Sequence, residues 1–219
     1  LNVPPEEPDH LTPALVALAA LALFVPLLAA ATVLRFLPSW QVRLAVGTAA
    51  LAATLPALCL GRRNSPPAPW AAGAALGLSA LAVAVTAQSF DLANLVAAQV
   101  NTLPYVLIQP LAAALWVAGG ALLLPPSGRP GLASLAARLA CLAAAAALAA
   151  ALFGAGGAGP LLPGAVWLVV KSLAAAGLVV AVERAWARLP AGRRAVAAWR
   201  ILVPLGAANL IATIIAVGE

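Results

Sequence analysis

Apolar residues in this chain neither alternate nor recur once per helical turn; they continue for about 20 residues at a stretch, and short polar breaks divide the runs. At 1.5 Å of rise per residue, such a run crosses the roughly 30 Å hydrocarbon layer of a bilayer. About seven membrane-spanning helices are predicted, over about 11–34, 42–60, 70–87, 103–124, 132–153, 161–182 and 201–217. Pro38, Ser39 and Trp40 turn the chain between the first two, and breaker clusters at 61–67 and 125–130 end the second and fourth. The fourth run carries Pro104 and Pro110, and the fifth is almost pure alanine and leucine, which permits close helix approach. The segment 89–101 differs, because Asp91, Asn94 and Gln99 interleave with Phe90, Leu92, Leu95 and Val96. That pattern predicts a short amphipathic helix lying at the membrane interface. The expected fold is therefore all-α, a single polytopic transmembrane bundle over 1–219.

Composition removes the soluble alternatives. Apolar residues make up 64% and charged residues 8% of the sequence, against about 25% charged in ordinary globular domains. So few charges cannot furnish a water-facing surface. The net charge of +6 does not point to nucleic acid, since the arginines sit between apolar runs and form no basic stripe with interleaved aromatics. They are read as setting orientation. One set of alternate connections holds Arg62, Arg63, Arg129, Arg184, Arg188, Arg193, Arg194 and Arg200, the other only Arg35 and Arg43. Positive connections stay in the cytoplasm, which predicts a multi-pass protein of the cell's inner (cytoplasmic) membrane with a cytoplasmic N-terminus. Glu6, Glu7 and Asp9 do not alter that reading, because acidic residues contribute little to the rule.

Metal and cluster chemistry is not expected of the chain. Cys59 and Cys141 lie in separate apolar runs and His10 lies far from both, so metal-ligand spacing is lacking and iron–sulfur ligation, which takes four thiolates, is not available. The cysteines read as buried inert thiols. The first run is too long and too weakly basic at its front for a secretory signal. The sequence has no methionine and starts at Leu1, which predicts either an unusual start codon or residues upstream.

Lys171 is the most informative residue, placed near the middle of the sixth run, roughly 15 Å of helix from either end. An ammonium at that depth costs at least about 2.5 kcal/mol on insertion scales. It is expected to face a partner, a water-filled cavity or another chain of an assembly, with a neutral packed amine as the other reading. No other run offers an acid at that level, since Glu183 lies at the cytoplasmic end of the same helix and Asp91 lies outside. Its counter-group is therefore expected to be water or a neighbouring chain. Arg138, about two turns inside the fifth run, is expected to extend its long side chain to the headgroups. Asp91, Gln99 and Gln109 suit a polar path near the opposite face, although an interfacial helix needs such residues in any case. Intramembrane hydrolysis is not expected: His10 lies outside, and Lys171 and Ser172 diverge by about 100° around a helix. No catalytic residue is assigned. The five arginines Arg184, Arg188, Arg193, Arg194 and Arg200 fit either a topology anchor or a docking surface for an acidic soluble domain.

The last third of the chain carries Leu152, Phe153, a glycine-rich turn, then Pro163, Gly164, Trp167 and Lys171. It continues with Glu183, Arg184, Trp186, Arg188, Leu189, Pro190, Trp199, Arg200, Leu202 and Pro204. This resembles the end of the H-type membrane subunits of NADH-quinone oxidoreductase (respiratory complex I) and their counterparts in membrane-bound NiFe hydrogenases. Upstream, 89–99 resembles the family's amphipathic segment, Gln109 and Pro110 its following helix, and Pro4, Pro5, Asp9 and His10 the start of its second helix. On that alignment the family's first helix would precede Leu1. The sequence departs from the family's pattern at its acidic positions: 118–130 contains no acid, Cys141 stands where glutamate is expected, and 70–87 lacks arginine, glutamine and glutamate.

The resemblance implies a membrane anchor or connecting subunit of a complex I-like or hydrogenase-like, redox-driven, ion-translocating assembly, non-catalytic in itself. A proton relay needs titratable groups at depth, so its own quinone and proton roles are expected to be reduced or lost. Lys171, Asp91, Glu183 and Arg138 remain as proton-path or partner-facing candidates. The chain is expected to bind no cofactor, with quinone possible at the level of the complex and iron–sulfur clusters in partner subunits. Its expected partners are lipid, antiporter-like membrane subunits, and soluble cluster-binding or hydrogenase-like subunits. A secondary transporter, with Pro26, Pro56 or Pro110 interrupting its helices, and a membrane scaffold without redox association are the competing readings.

Overall fold

A computed structural model describes residues 68–124 and 132–218. The expected spans over 11–34 and 42–60 lie outside the described residues, as do His10, Cys59, Arg35, Arg43, Arg62, Arg63 and Arg129 of the readings above. Every regular element among the described residues is helical: α1 (Ala68–Ala87), α2 (Leu92–Asn101), α3 (Tyr105–Ile108), α4 (Pro110–Leu123), α5 (Leu132–Phe153), α6 (Gly164–Ala187), α7 (Ala191–Ala197), a π turn (Ala198–Leu202) and α8 (Val203–Gly218).

Helix α1 is built of small and apolar residues on all sides, the composition of a helix enclosed by others. Ala72, Leu76, Ala80 and Val83 repeat at about one turn and bury one face against the core that holds Trp116 of α4. Ala71 and Ala75 bury a second face against Ala198 and Leu202 of the π turn. Its hydroxyls donate back into the helix, Ser79 Oγ to the Ala75 carbonyl at 2.7 Å and Thr86 Oγ1 to Ala82 at 3.0 Å. Helix α1 thus packs between α4 and α8, α4 also packs on α6, and α6 on α5.

The α1–α4 contact depends on Gly119. A Cβ there would lie 3.0 Å from the Ala72 carbonyl oxygen and 3.1 Å from Leu76 Cγ, so only glycine lets the backbones approach this closely. At Gly120 a Cβ would have ordinary contacts, 3.7 Å to Ala145 and 3.9 Å to Val179.

The run expected as one span over 103–124 is two helices. Pro110 has no N–H and cannot continue the α3 ladder, so the chain breaks at Gln109 (φ −128°, ψ 62°) and restarts with Pro110 in the first turn of α4. The 14 residues of α4 cover about 21 Å, short of the hydrocarbon thickness.

The segment expected as an arginine-rich loop over 184–200 is mostly helical. Arg184 closes the last turn of α6, the chain turns at Arg188, Leu189 and Pro190, and α7 follows at once. From Ala191 to Gly218 the chain forms one 28-residue helix, about 42 Å long. Its π turn has a local cause: Pro204 supplies no N–H, and Val203 N–H reaches back to the Ala198 carbonyl instead.

By length and composition, Gly164–Ala187 and Ala191–Gly218 can each cross a membrane; shorter apolar helices run over Ala71–Ala87, Pro110–Leu123 and Cys141–Phe153. The two long helices expose Val166, Val169, Leu173, Leu178, Ile211, Ile214 and Ile215. An aqueous surface of that kind would be prohibitively apolar, whereas lipid accepts it.

Candidate functional site

Among the described residues, the charged side chains gather toward two ends of the bundle. At one end, α5 stops in a turn that glycine makes possible. Gly154 N–H and Gly156 N–H both reach the Ala150 carbonyl, at 3.0 and 2.9 Å, with Ala155 (φ 57°) and Gly156 (φ 54°) in the left-handed region. A Cβ at Gly157 would lie 2.6 Å from the Gly164 carbonyl oxygen, and one at Gly159 would lie 2.5 Å from the Trp167 ring. The glycines of this turn are therefore set by packing.

Lys171 of α6 points into that turn. Its Nζ donates to the carbonyl oxygens of Gly154 (2.5 Å), Gly156 (3.2 Å) and Ala158, and lies 5.7 Å from the centroid of the Trp167 ring. Three donors meet three acceptors, the full capacity of an ammonium. The expectation that water or a neighbouring chain supplies the counter-group is corrected: this chain supplies it, through backbone oxygens. The depth is corrected as well, since Lys171 lies only seven residues after Gly164, about 11 Å from the start of α6.

Gln99 pins the same turn from α2. It is 2% exposed, its Nε2 donates to the Ala151 carbonyl at 3.0 Å, and its Oε1 accepts from the N–H groups of Tyr105 (3.1 Å) and Ala155 (2.9 Å). Gln109, at the α3–α4 break, donates to the Ala82 carbonyl (3.2 Å), Thr86 Oγ1 and Thr213 Oγ1 (3.3 Å), and so joins α1 to α8. Both glutamines bind backbone and hydroxyls where the helices are interrupted. Asp91 caps α2, its carboxylate accepting from the Ala93 N–H at 2.9 Å.

At the other end, Arg138 of α5 and Glu183 of α6 form a two-point ion pair, with Nη1 to Oε1 at 2.8 Å and a second bond from Nη2 to Oε2. The sequence predicts that Arg138 reaches the headgroups by itself; the structure gives it a carboxylate on the adjacent helix, a better partner for a planar guanidinium. Arg184, Arg188, Arg193 and Arg200 are exposed at this end, and Arg194 Nε donates to the Leu189 carbonyl at 2.7 Å.

The four candidates Lys171, Asp91, Glu183 and Arg138 therefore do not converge. Lys171 and Glu183 stand twelve positions apart on α6, about 18 Å, and the residues between them are apolar apart from Ser172. Asp91 belongs to the Lys171 end, Arg138 to the Glu183 end. Sequence reasoning missed Trp167 as a neighbour of the amine and the turn's carbonyls as its acceptors; the glycine run 154–159, followed by a lysine one helix start later, was the available signal.

The class defined by this architecture is a helical membrane protein, with apolar helices too exposed for water. No family model matches the chain. It resembles the H-type membrane subunits of NADH-quinone oxidoreductase: it is 31% identical over 159 residues to the first H-type NADH-quinone oxidoreductase protein of Rhodopseudomonas palustris, covering 63% of this chain and 49% of that protein. The second H-type NADH-quinone oxidoreductase protein of Cereibacter sphaeroides is 31% identical over 165 residues, 66% of this chain and 52% of that one. The chain spans about half the length of the curated relatives it matches. Its fold is shared with a chain of the membrane-bound sulfane sulfur reductase, an archaeal respiratory membrane complex, at a TM-score of 0.62 and 19% identity, over 96% of this chain and 82% of that one. The resemblance read from the sequence thus holds, and the protein is membrane-embedded.

Proposed function

We propose that this chain is a membrane anchor and connecting subunit of a complex I-like or membrane-bound hydrogenase-like, redox-driven, ion-translocating complex, with its own quinone and proton roles reduced or lost. The observation that carries the reading is the separation of its polar groups. Among the described residues the carboxylates are Asp91 and Glu183, one occupied as a helix cap and the other by Arg138, and α6 between Lys171 and Glu183 is apolar apart from Ser172. A proton relay needs titratable groups in succession through the bilayer. The likeness to the H-type proteins and to a respiratory membrane complex supports the assembly; the fixed carboxylates support the reduced role within it.

In this reading the chain makes about seven crossings of the cytoplasmic membrane, and the arginine end lies in the cytoplasm together with the N-terminus. Antiporter-like subunits adjoin it in the membrane, soluble cluster-binding or hydrogenase-like subunits dock at Arg184, Arg188, Arg193, Arg194 and Arg200, and clusters and any quinone belong to the assembly. Affinity purification from native membranes in mild detergent tests this: redox subunits should copurify in stoichiometric amount. A chain that purifies alone and moves a solute in proteoliposomes would favour a secondary transporter, the reading that the helix break at Gln109 supports.

A further inference from the structure

We propose that the turn between α5 and α6 is a monovalent-cation site, formed by the Gly154, Gly156 and Ala158 carbonyls, the C-terminal end of α5 and the face of Trp167, which Lys171 fills as an ammonium supplied by the chain itself. The inference is independent of the assembly in which the chain works.

Each wall of the site favours a cation for its own reason. The three oxygens converge on one point, the position of Nζ. Two successive left-handed residues, Ala155 and Gly156, turn the backbone so that its carbonyls face inward. The end of the 22-residue helix α5 carries partial negative charge, and the indole face attracts positive charge at the observed 5.7 Å. All these ligands are neutral, a set that suits a monovalent ion; divalent calcium and magnesium recruit carboxylates.

The site is also built without the amine. The Ala150 carbonyl holds Gly154 and Gly156, Gln99 holds Ala155 at 2.9 Å, and Trp167 Nε1 donates to the Pro160 carbonyl at 2.8 Å. Removing the lysine side chain leaves these contacts in place and three carbonyls facing an opening. The residue choice fits: Lys171 is the only lysine in the sequence, and the rest of its 12 basic residues are arginines. A tetrahedral ammonium matches three converging oxygens, whereas a planar guanidinium does not.

The test is rescue by a free cation. Lys171→Ala in detergent is melted in ammonium, methylammonium, potassium or tetramethylammonium chloride at equal ionic strength. The variant should melt below the unaltered chain in tetramethylammonium, and ammonium or methylammonium should raise its midpoint by about 5 °C with saturation, as ligand linkage requires. The unaltered chain should show no such difference, and Lys171→Arg should remain unrescued. An equal response of Lys171→Ala to all four salts overturns the proposal. A second measurement needs no variant: with ¹⁵N-lysine labelling the chain gives a single Nζ signal. It should be that of an ammonium whose protons exchange at least about tenfold more slowly than those of free lysine. A neutral-amine shift, or exchange as fast as in free lysine, also overturns it.

Discussion

Arg138 and Glu183 face each other across α5 and α6 in a two-point ion pair, each side chain less than one-fifth exposed. Glu183→Gln takes the two-point carboxylate from Arg138 and should lower stability by about 2 kcal/mol, below the full cost of breaking a deeply buried pair because both groups keep some exposure. Replacing both, as Arg138→Met with Glu183→Leu, should recover part of that loss, since the pair is then removed whole. Reversible unfolding in mixed micelles of Arg138→Met, Glu183→Leu and the double variant checks this; simple additivity of the two single losses would contradict it.

Gln99 joins α2, the start of α3 and the end of α5 through one amide. Gln99→Leu leaves the N–H groups of Tyr105 and Ala155 without their acceptor, a loss of about 2–3 kcal/mol. Amide hydrogen exchange should report it locally, with Ala155 and Tyr105 exchanging faster while the middle of α1 keeps its protection. Uniform acceleration throughout the bundle would instead show that Gln99 has no special hold on the turn.

The two adjacent glycines of α4 should respond differently to the same change. Gly119→Ala drives a methyl against the Ala72 carbonyl and Leu76, and overpacking of this kind costs about 1–3 kcal/mol. Gly120→Ala adds ordinary contacts to Ala145 and Val179 and improves helix propensity, so its melting midpoint should be unchanged or slightly higher. Thermal melts of the two variants side by side decide the matter; equal sensitivity would contradict the close α1–α4 approach.

Much of this architecture was legible in the sequence, for reasons visible in particular residues. The expected span 132–153 coincides with α5, a run of mostly alanine and leucine that ends at the glycine turn beginning with Gly154. The amphipathic helix expected over 89–101 is α2, but its start was read two residues early, since Asp91 lies before the helix as its cap. The break at Gln109 was hidden, since hydropathy continues smoothly across it and only Pro110 signals the lost hydrogen bond. The arginines of 184–200 read as a loop because charge ends an apolar run, yet Arg193, Arg194 and Arg200 lie on one continuous helix, Ala191–Gly218. The surroundings of Lys171 were the least legible part. Its acceptors are main-chain oxygens of Gly154, Gly156 and Ala158, which no side-chain letter announces, and the Arg138–Glu183 pair needed two helices to be placed side by side.

Arg184, Arg188, Arg193 and Arg200 are exposed on a common end of the bundle. If soluble subunits dock there, changing all four to glutamine should release them at lower salt, because each contact is screened over about 10 Å at 0.1 M ionic strength. The melting of the chain itself should hardly move. The salt at which soluble subunits elute from an immobilised complex measures this; an unchanged elution point would leave these arginines the role of topology anchors alone.

The most direct measurement is a cryo-electron microscopy map of the assembly extracted from native membranes. The account predicts this chain in a continuous membrane arm, its arginine end against soluble cluster-bearing subunits, Lys171 in its carbonyl turn, and the ion path running through neighbouring subunits. A map showing the chain alone in lipid, or a line of ordered water crossing it from the Lys171 end to Glu183, would contradict it.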